Sequence, residues 1–218
     1  MFKSLSLKVI IFGFIFTFFS SFGQSFFIGL FNPSVRDDLN ISHGQFGSIY
    51  ATATLLSSFL FIWVGKKIDD INVLRFALYV TVLLSFSCFF FSKISSIVFL
   101  FIAIFLMRFS GQGMMSHTAS TTISRYFTKS RGKALSIGWF GLSVAEFILP
   151  VTIIYLLTIY NWQNIWIFIS LLVLVFLPIA SYFLIKELNL DSRENAKNNE
   201  VKNKDIKQWA RIEVIKDY

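Results

Sequence analysis

The sequence predicts an all-α membrane protein of six transmembrane helices, arranged as a repeat of three plus three. Three observations carry this. First, 55% of the 218 residues are hydrophobic and only 15% are charged, where a soluble domain would have about a quarter charged. Second, the charges cluster between apolar runs long enough to cross a bilayer, each near the roughly 20 residues that a spanning helix needs. Third, the runs differ in kind, and the difference recurs with a period of three.

The predicted spans are 7–31, 43–64, 74–92, 96–124, 134–159 and 163–185. Pro33 ends the first, and 32–42 is read as an outside loop. Asn161, Trp162 and Gln163 make a very short turn, so spans five and six are antiparallel neighbours. All 11 Gly lie in spans one, two, four and five or in loops, whereas Phe76 to Phe91 and Ile165 to Ile185 carry no Gly and no charge. Small residues let membrane helices approach closely, so spans one, two, four and five are expected inside, with three and six at the periphery. Residues 1–186 form the six-helix domain. Residues 187–218 are expected to form a polar cytoplasmic linker. Within it, Ile206, Trp209, Ile212 and Ile215 recur at a spacing of three and predict a short amphipathic helix on the membrane surface. Outer-membrane barrel alternation is absent from the sequence.

The net charge of +8 would fit nucleic acid, but its distribution excludes that reading. Lys3, Lys8, Lys66, Lys67, Arg75, Arg125, Lys129, Arg131 and Lys133 all fall on one side, and only Arg36 and Lys93 on the other. This positive-inside pattern puts both termini in the cytoplasm. Richness in Phe, Ile, Asn and Lys points to an AT-rich bacterial genome and hence to the bacterial inner membrane. The first apolar run is longer than a signal-peptide core and five more follow, so it reads as a retained helix. Cys88 is a single thiol inside a span. No set of His, Cys and carboxylates has metal spacing, no nucleophile-elbow pattern occurs, and no cofactor is expected.

Two segments carry a resemblance. Gly65-Lys66-Lys67-Ile68-Asp69 follows span two. Arg108-Phe109-Ser110-Gly111-Gln112-Gly113 stands in span four and leads to Tyr126-Phe127 and Arg131-Gly132-Lys133-Ala134. Gly138, Gly141, Glu146 and Pro150 follow in span five. This ordered set resembles the major facilitator superfamily, in particular its monocarboxylate and oxalate/formate-antiporter-like branch. Asp70 and Asn72 stand where the family's loop has a basic residue and a glycine. The resemblance implies the N-terminal six-helix half of a secondary transporter, a gating loop at Gly65 and Asp69, and a central cavity lined by span four. Gln208 to Tyr218 looks like the segment that leads into a seventh span in that branch. A C-terminal six-helix half is therefore expected to be missing or separately encoded.

Arg108 and Glu146 are the charges set well inside spans, and intramembrane ionisable groups are costly and functional by default. At the rise of a helix they lie roughly 16 and 20 Å deep, so they are expected to pair. Whether that pair would be structural or would serve substrate or protons stays open from the residues alone. Arg108, Gln24 and Gln112 are the candidate substrate contacts. Glu146 and His117 are the candidates for proton coupling, with a hydrogen-bonded packing histidine as the alternative for His117. The function expected is transport of a small organic anion across the bilayer by alternating access. A six-span membrane enzyme and a non-transporting assembly partner are the competing readings.

Overall fold

The computed structural model describes residues 4–188; the expected linker and amphipathic helix fall outside the described residues, apart from Glu187 and Leu188. In chain order the α-helices are α1 (Ser4–Ser20), α2 (Ser25–Leu30), α3 (Asn32–Leu39), α4 (His43–Val64), α5 (Val73–Phe91), α6 (Ile97–Met107), α7 (Ser116–Tyr126), α8 (Arg131–Leu157) and α9 (Trp162–Ile185). A 3₁₀ turn, Ser21–Gly23, separates α1 from α2, another runs Gly65–Asp69, and a π-helical segment, Arg108–Met115, joins α6 to α7. Six stretches are long and apolar enough to cross a membrane: Leu5–Gly23, His43–Asp69, Val73–Phe91, Ile97–Tyr126, Arg131–Leu157 and Trp162–Ile185. The chain is a multi-pass membrane protein.

Polar residues start the spans by satisfying first-turn amides that have no helical partner. Ser42 and Gln45 form a reciprocal capping box on α4, at 3.2 and 2.8 Å. Asn72 accepts from Leu74 N at 2.9 Å ahead of α5. The expected outside loop at 32–42 is instead mostly the helix α3. Pro33 lies in its first turn, where the missing amide is no loss. Asn40, in the left-handed region at φ 51°, stops it.

The helix contacts repeat with the period of three. Span one packs on span five as span four packs on span two, span one meets span six as span four meets span three, and span three lies against span six. Each relation maps onto its partner when the two triplets are exchanged. The contact between spans three and six is itself reciprocal: Ser85 Oγ donates to Ser170 O, and Ser170 Oγ donates to Ser85 O, each at 2.9 Å. Such internal repeats are a property of secondary-transporter folds.

The interior is not distributed as the glycines suggest. Only 11% of the most apolar window of span two and 17% of that of span five is buried, against 50% for span three. The reason is one-sidedness. Span five buries Ala134, Gly138, Gly141 and Ala145 as a single stripe, and an added Cβ at Gly141 would strike Phe14 O and Thr17 of span one. Its other faces are open. In span two, Gly47 has nothing within 4 Å of an added Cβ, so that glycine serves no contact within these residues.

The two ends of the bundle are tied separately. At one end Lys8 meets Glu187 at 3.1 Å, Ser6 meets Tyr126 at 3.3 Å, and Arg125 pairs with Asp69. This is the basic end. At the other, Asp38 accepts from Trp162 Nε1 and Gln163 Nε2, both at 2.8 Å. There Trp166, fully buried, packs edge-on against Phe27 and at a tilt against Phe31 and Phe91, with ring centroids 4.6 to 5.4 Å apart.

Candidate functional site: a polar cavity at Arg108

Span one is not the continuous helix expected over 7–31. It breaks at Ser21–Gln24, where Gln24 is extended at φ −84°, ψ 155°. The break faces the π-helical segment of span four. A Cβ on Gly23 would lie 2.6 Å from Gln112 N and 2.7 Å from Gly111 Cα, and one on Gly111 would lie 2.6 Å from Gly23 N. The two backbones therefore touch, and only glycine fits on either side. A helix break leaves carbonyls without amide partners. Arg108 supplies one: its Nη1 donates to Gly23 O at 3.1 Å and to Ser25 Oγ at 3.3 Å. A cation at the carboxyl end of a helix is favoured by the helix dipole.

Arg108 is 8% exposed. Its guanidinium carbon lies 5.4 Å from the Tyr50 ring centroid, a cation–π distance, and Tyr50 OH donates to Ser25 Oγ at 3.0 Å. The expected partner, Glu146, is not there. No carboxylate lies within 4.0 Å of Arg108 among the described residues, and Glu146 is exposed. Similar depth was a poor guide because it ignores direction around the helix. Glu146 follows Ala145, which belongs to the buried stripe of span five, so it projects roughly 100° away from that stripe. Pro150, four residues on, has no amide to give the Glu146 carbonyl.

Arg108 lines a cavity of about 350 Å³. Span two contributes Thr54, Ser57, Ser58 and Phe61, positions i, i+3, i+4 and i+7 of one helix face. Span four contributes Arg108, Gln112, Ser116 and Ser120, spaced by four, with Gly113 and His117 between. Trp139 of span five closes one side and donates from Nε1 to Ser120 Oγ at 3.1 Å. Eight buried polar side-chain atoms lack a hydrogen-bond partner among the described residues, and four belong to this lining: Thr54 Oγ1, Arg108 Nε, Gln112 Oε1 and Ser116 Oγ. Buried polar atoms are normally paired, so their concentration around one cavity marks a place built for a polar occupant. Membrane-embedded sites are lined in this mixed apolar and polar way.

The loop after span two is bound to the same helix. Arg125 donates to Asp69 and, at 3.2 Å, to Ile68 O. His117 Nε2 lies 3.0 Å from Gly65 O. A carbonyl only accepts, so Nε2 carries the proton there. The ring also meets Phe61 edge-on at 5.3 Å. His117 thus hydrogen-bonds the Gly65 carbonyl, packs on Phe61 and also lines the cavity. Gly65 and Asp69 are brought together with span four, whereas Asp70 only approaches Lys67 at 3.9 Å on the surface.

The structure brings Arg108, Gln112 and His117 to one cavity and leaves Glu146 outside it. Gln24 occupies the break in span one and is not part of the lining. Tyr50, Thr54, Ser57, Ser58 and Ser116 were missed. Their signal was readable, because hydroxyl residues at helical spacing in an apolar span mark a face that avoids lipid. No group of three His, Cys, Asp or Glu suited to a metal ion occurs among the described residues.

Comparison with known proteins agrees with the architecture. No curated protein and no solved structure matches the chain. The family model described as Major Facilitator Superfamily matches residues 13–216, a range that holds the cavity, the repeat and the loop at Asp69. With six spans in two triplets, a polar cavity lined by spans two, four and five, and this match over most of its length, the chain belongs to the Major Facilitator Superfamily.

Proposed function

We propose that this chain forms one half of the pathway of a secondary transporter for small organic anions, carboxylates foremost, working by alternating access. One observation carries the reading: Arg108 is a buried cation inside a span with no carboxylate beside it among the described residues, and its Nε has no partner there at a polar cavity. An unpaired buried charge is strongly unfavourable. A substrate carboxylate supplies both the missing charge and an acceptor for Nε. Gln112 and the Thr54 and Ser116 hydroxyls then hold its polar groups. The resemblance to the monocarboxylate and oxalate/formate-antiporter-like branch supports the same substrate class, and the family assignment favours transport over the six-span enzyme.

A second six-helix unit covers the open faces of spans two and five and supplies the opposite cavity wall. The exposure of Glu146 on an apolar span supports this, since a carboxylate facing lipid is costly. In the assembled protein Glu146 is the coupling-proton candidate. The gathering of Lys8, Arg125 and their partners at one end supports cytoplasmic termini in a bacterial inner membrane.

The test is equilibrium binding of radiolabelled formate, acetate, lactate and oxalate to the purified full chain in neutral-lipid nanodiscs. At least one should bind, and Arg108→Gln should weaken it about tenfold or more, as loss of a charge-assisted hydrogen bond does. Binding unchanged in Arg108→Gln, or binding only of cations or neutral solutes, would overturn the anion reading.

A further inference from the structure

The polar face of span four does not stop at the central cavity. It continues through Ser120 to Thr121, Ser124 and Arg125, which line a second cavity of about 300 Å³ together with Arg131. Ser120 belongs to both cavities. From Arg108 to Arg125 is 17 residues, about 25 Å along the helix, so the second cavity opens at the basic end of the bundle.

Its chemistry is one-sided. Arg125 is turned towards the loop and neutralised by Asp69. Arg131 makes no ion pair among the described residues. The Thr121 and Ser124 hydroxyls donate to no protein group there, unlike Thr118 and Thr122, whose hydroxyls return to their own helix at 2.7 Å. Among the described residues no carboxylate lines the cavity. An unpaired guanidinium facing free hydroxyls across a concave space recognises an oxyanion.

We propose that Arg131, Thr121 and Ser124 form a second oxyanion site, in series with Arg108 and joined to it at Ser120. It rests on the anion-transport reading and deepens it: the site captures the carboxylate or phosphate group of a solute at the inner mouth before, or after, it occupies Arg108. The Trp139–Ser120 hydrogen bond lies at the residue the two cavities share. The same oxyanion chemistry is offered by the headgroup of an anionic phospholipid, and the test separates the two sources.

The experiment is ¹⁹F NMR titration of the full chain with trifluoroacetate at low ionic strength, where surface charge is least screened. The chain is held in phosphatidylcholine nanodiscs and then in discs containing phosphatidylglycerol. Wild type should show two classes of bound probe. Arg131→Gln should weaken one class about tenfold and leave the other, and Arg108→Gln should do the reverse. Thr121→Val with Ser124→Ala should weaken the Arg131 class alone. Lys129→Gln, which removes a neighbouring charge outside the cavity lining, should change neither. If phosphatidylglycerol removes the Arg131 class, the occupant is a lipid headgroup; if that class persists, it is a solute. Arg131→Gln matching wild type in both lipids, or Lys129→Gln weakening binding as much as Arg131→Gln, overturns the second site. Loss of the Arg131 class by Arg131→Gln with no effect of Arg108→Gln would leave the second site standing and overturn the Arg108 reading.

Discussion

Spans one and four lead the two triplets, and both give up α-helical geometry where they cross. Span one tightens into a 3₁₀ turn and then an extended residue, while span four widens into a π-helical segment. Spans three and six close the triplets and remain continuous, joined by a reciprocal serine pair. The first crossing puts backbone against backbone and needs an arginine to satisfy a freed carbonyl. The second lies in well-packed apolar surface and needs only two hydroxyls. Departures from regular geometry often gather at functional positions, and the contrast sets the irregular crossing of spans one and four, beside Arg108, against the regular packing of three and six.

The largest effect should come from Gly23→Ala. The added Cβ meets the backbone of Met107, Gly111 and Gln112, and none of these can swing aside. Overpacking of this kind costs about 1–3 kcal/mol or more, so the melting temperature in detergent should fall by several degrees or the chain should fail to fold. Gly47→Ala is the matched control. With open space around it, it should be neutral or stabilise by up to about 1 kcal/mol through helix propensity.

Arg108→Gln should come next. It leaves Gly23 O buried without its donor, a loss of about 1–3 kcal/mol, seen as a lower melting temperature even without solute. Glu146→Gln should not lower the melting temperature of the chain, since the carboxylate has no ion-pair partner among the described residues. Equal and non-additive losses in the two variants and their double would restore the direct pairing that the geometry excludes.

Smaller effects are expected at the scaffold. Ser85→Ala and Ser170→Ala should each cost about 0.6 kcal/mol, the average for hydrogen bonds between membrane helices. The double-mutant cycle should show coupling, because the two hydroxyls also meet each other directly at 3.2 Å. Smallest is Asp69→Asn. Its pair with Arg125 is mostly exposed on the Asp69 side, at 69%, so less than about 1 kcal/mol is at stake, and that should vanish in high salt.

Much of this architecture was legible in the residues. Apolar length alone locates six spans, because a bilayer leaves the backbone few alternatives to helix. The resemblance carried by Gly65, Asp69, Arg108 and the glycines of spans four and five leads to the family. What hydropathy could not show is direction around an axis and the local winding of the helix. Ser20, Ser21, Gly23 and Gln24 gave a polar patch in span one, yet a patch of this kind fits a continuous helix as well as a broken one. Arg108 and Glu146 share a depth and face different neighbours, and only the Ala134, Gly138, Gly141, Ala145 stripe tells them apart. The interior place expected for spans two and five fails for the same reason: small residues show that a close contact is possible, not which partner makes it.

The central claim is that Arg108 is an unpaired buried cation awaiting an anion. Its most direct test is the melting temperature of the purified full chain with and without the carboxylate that binds in the nanodisc assay, because a ligand that binds only the folded state raises stability with the logarithm of its concentration above Kd. The account predicts a concentration-dependent rise in wild type, a smaller rise in Arg108→Gln that needs about tenfold more carboxylate to match it, and no rise with a neutral analogue of the same size. An equal rise in both proteins, or none in wild type at saturating carboxylate, would contradict it.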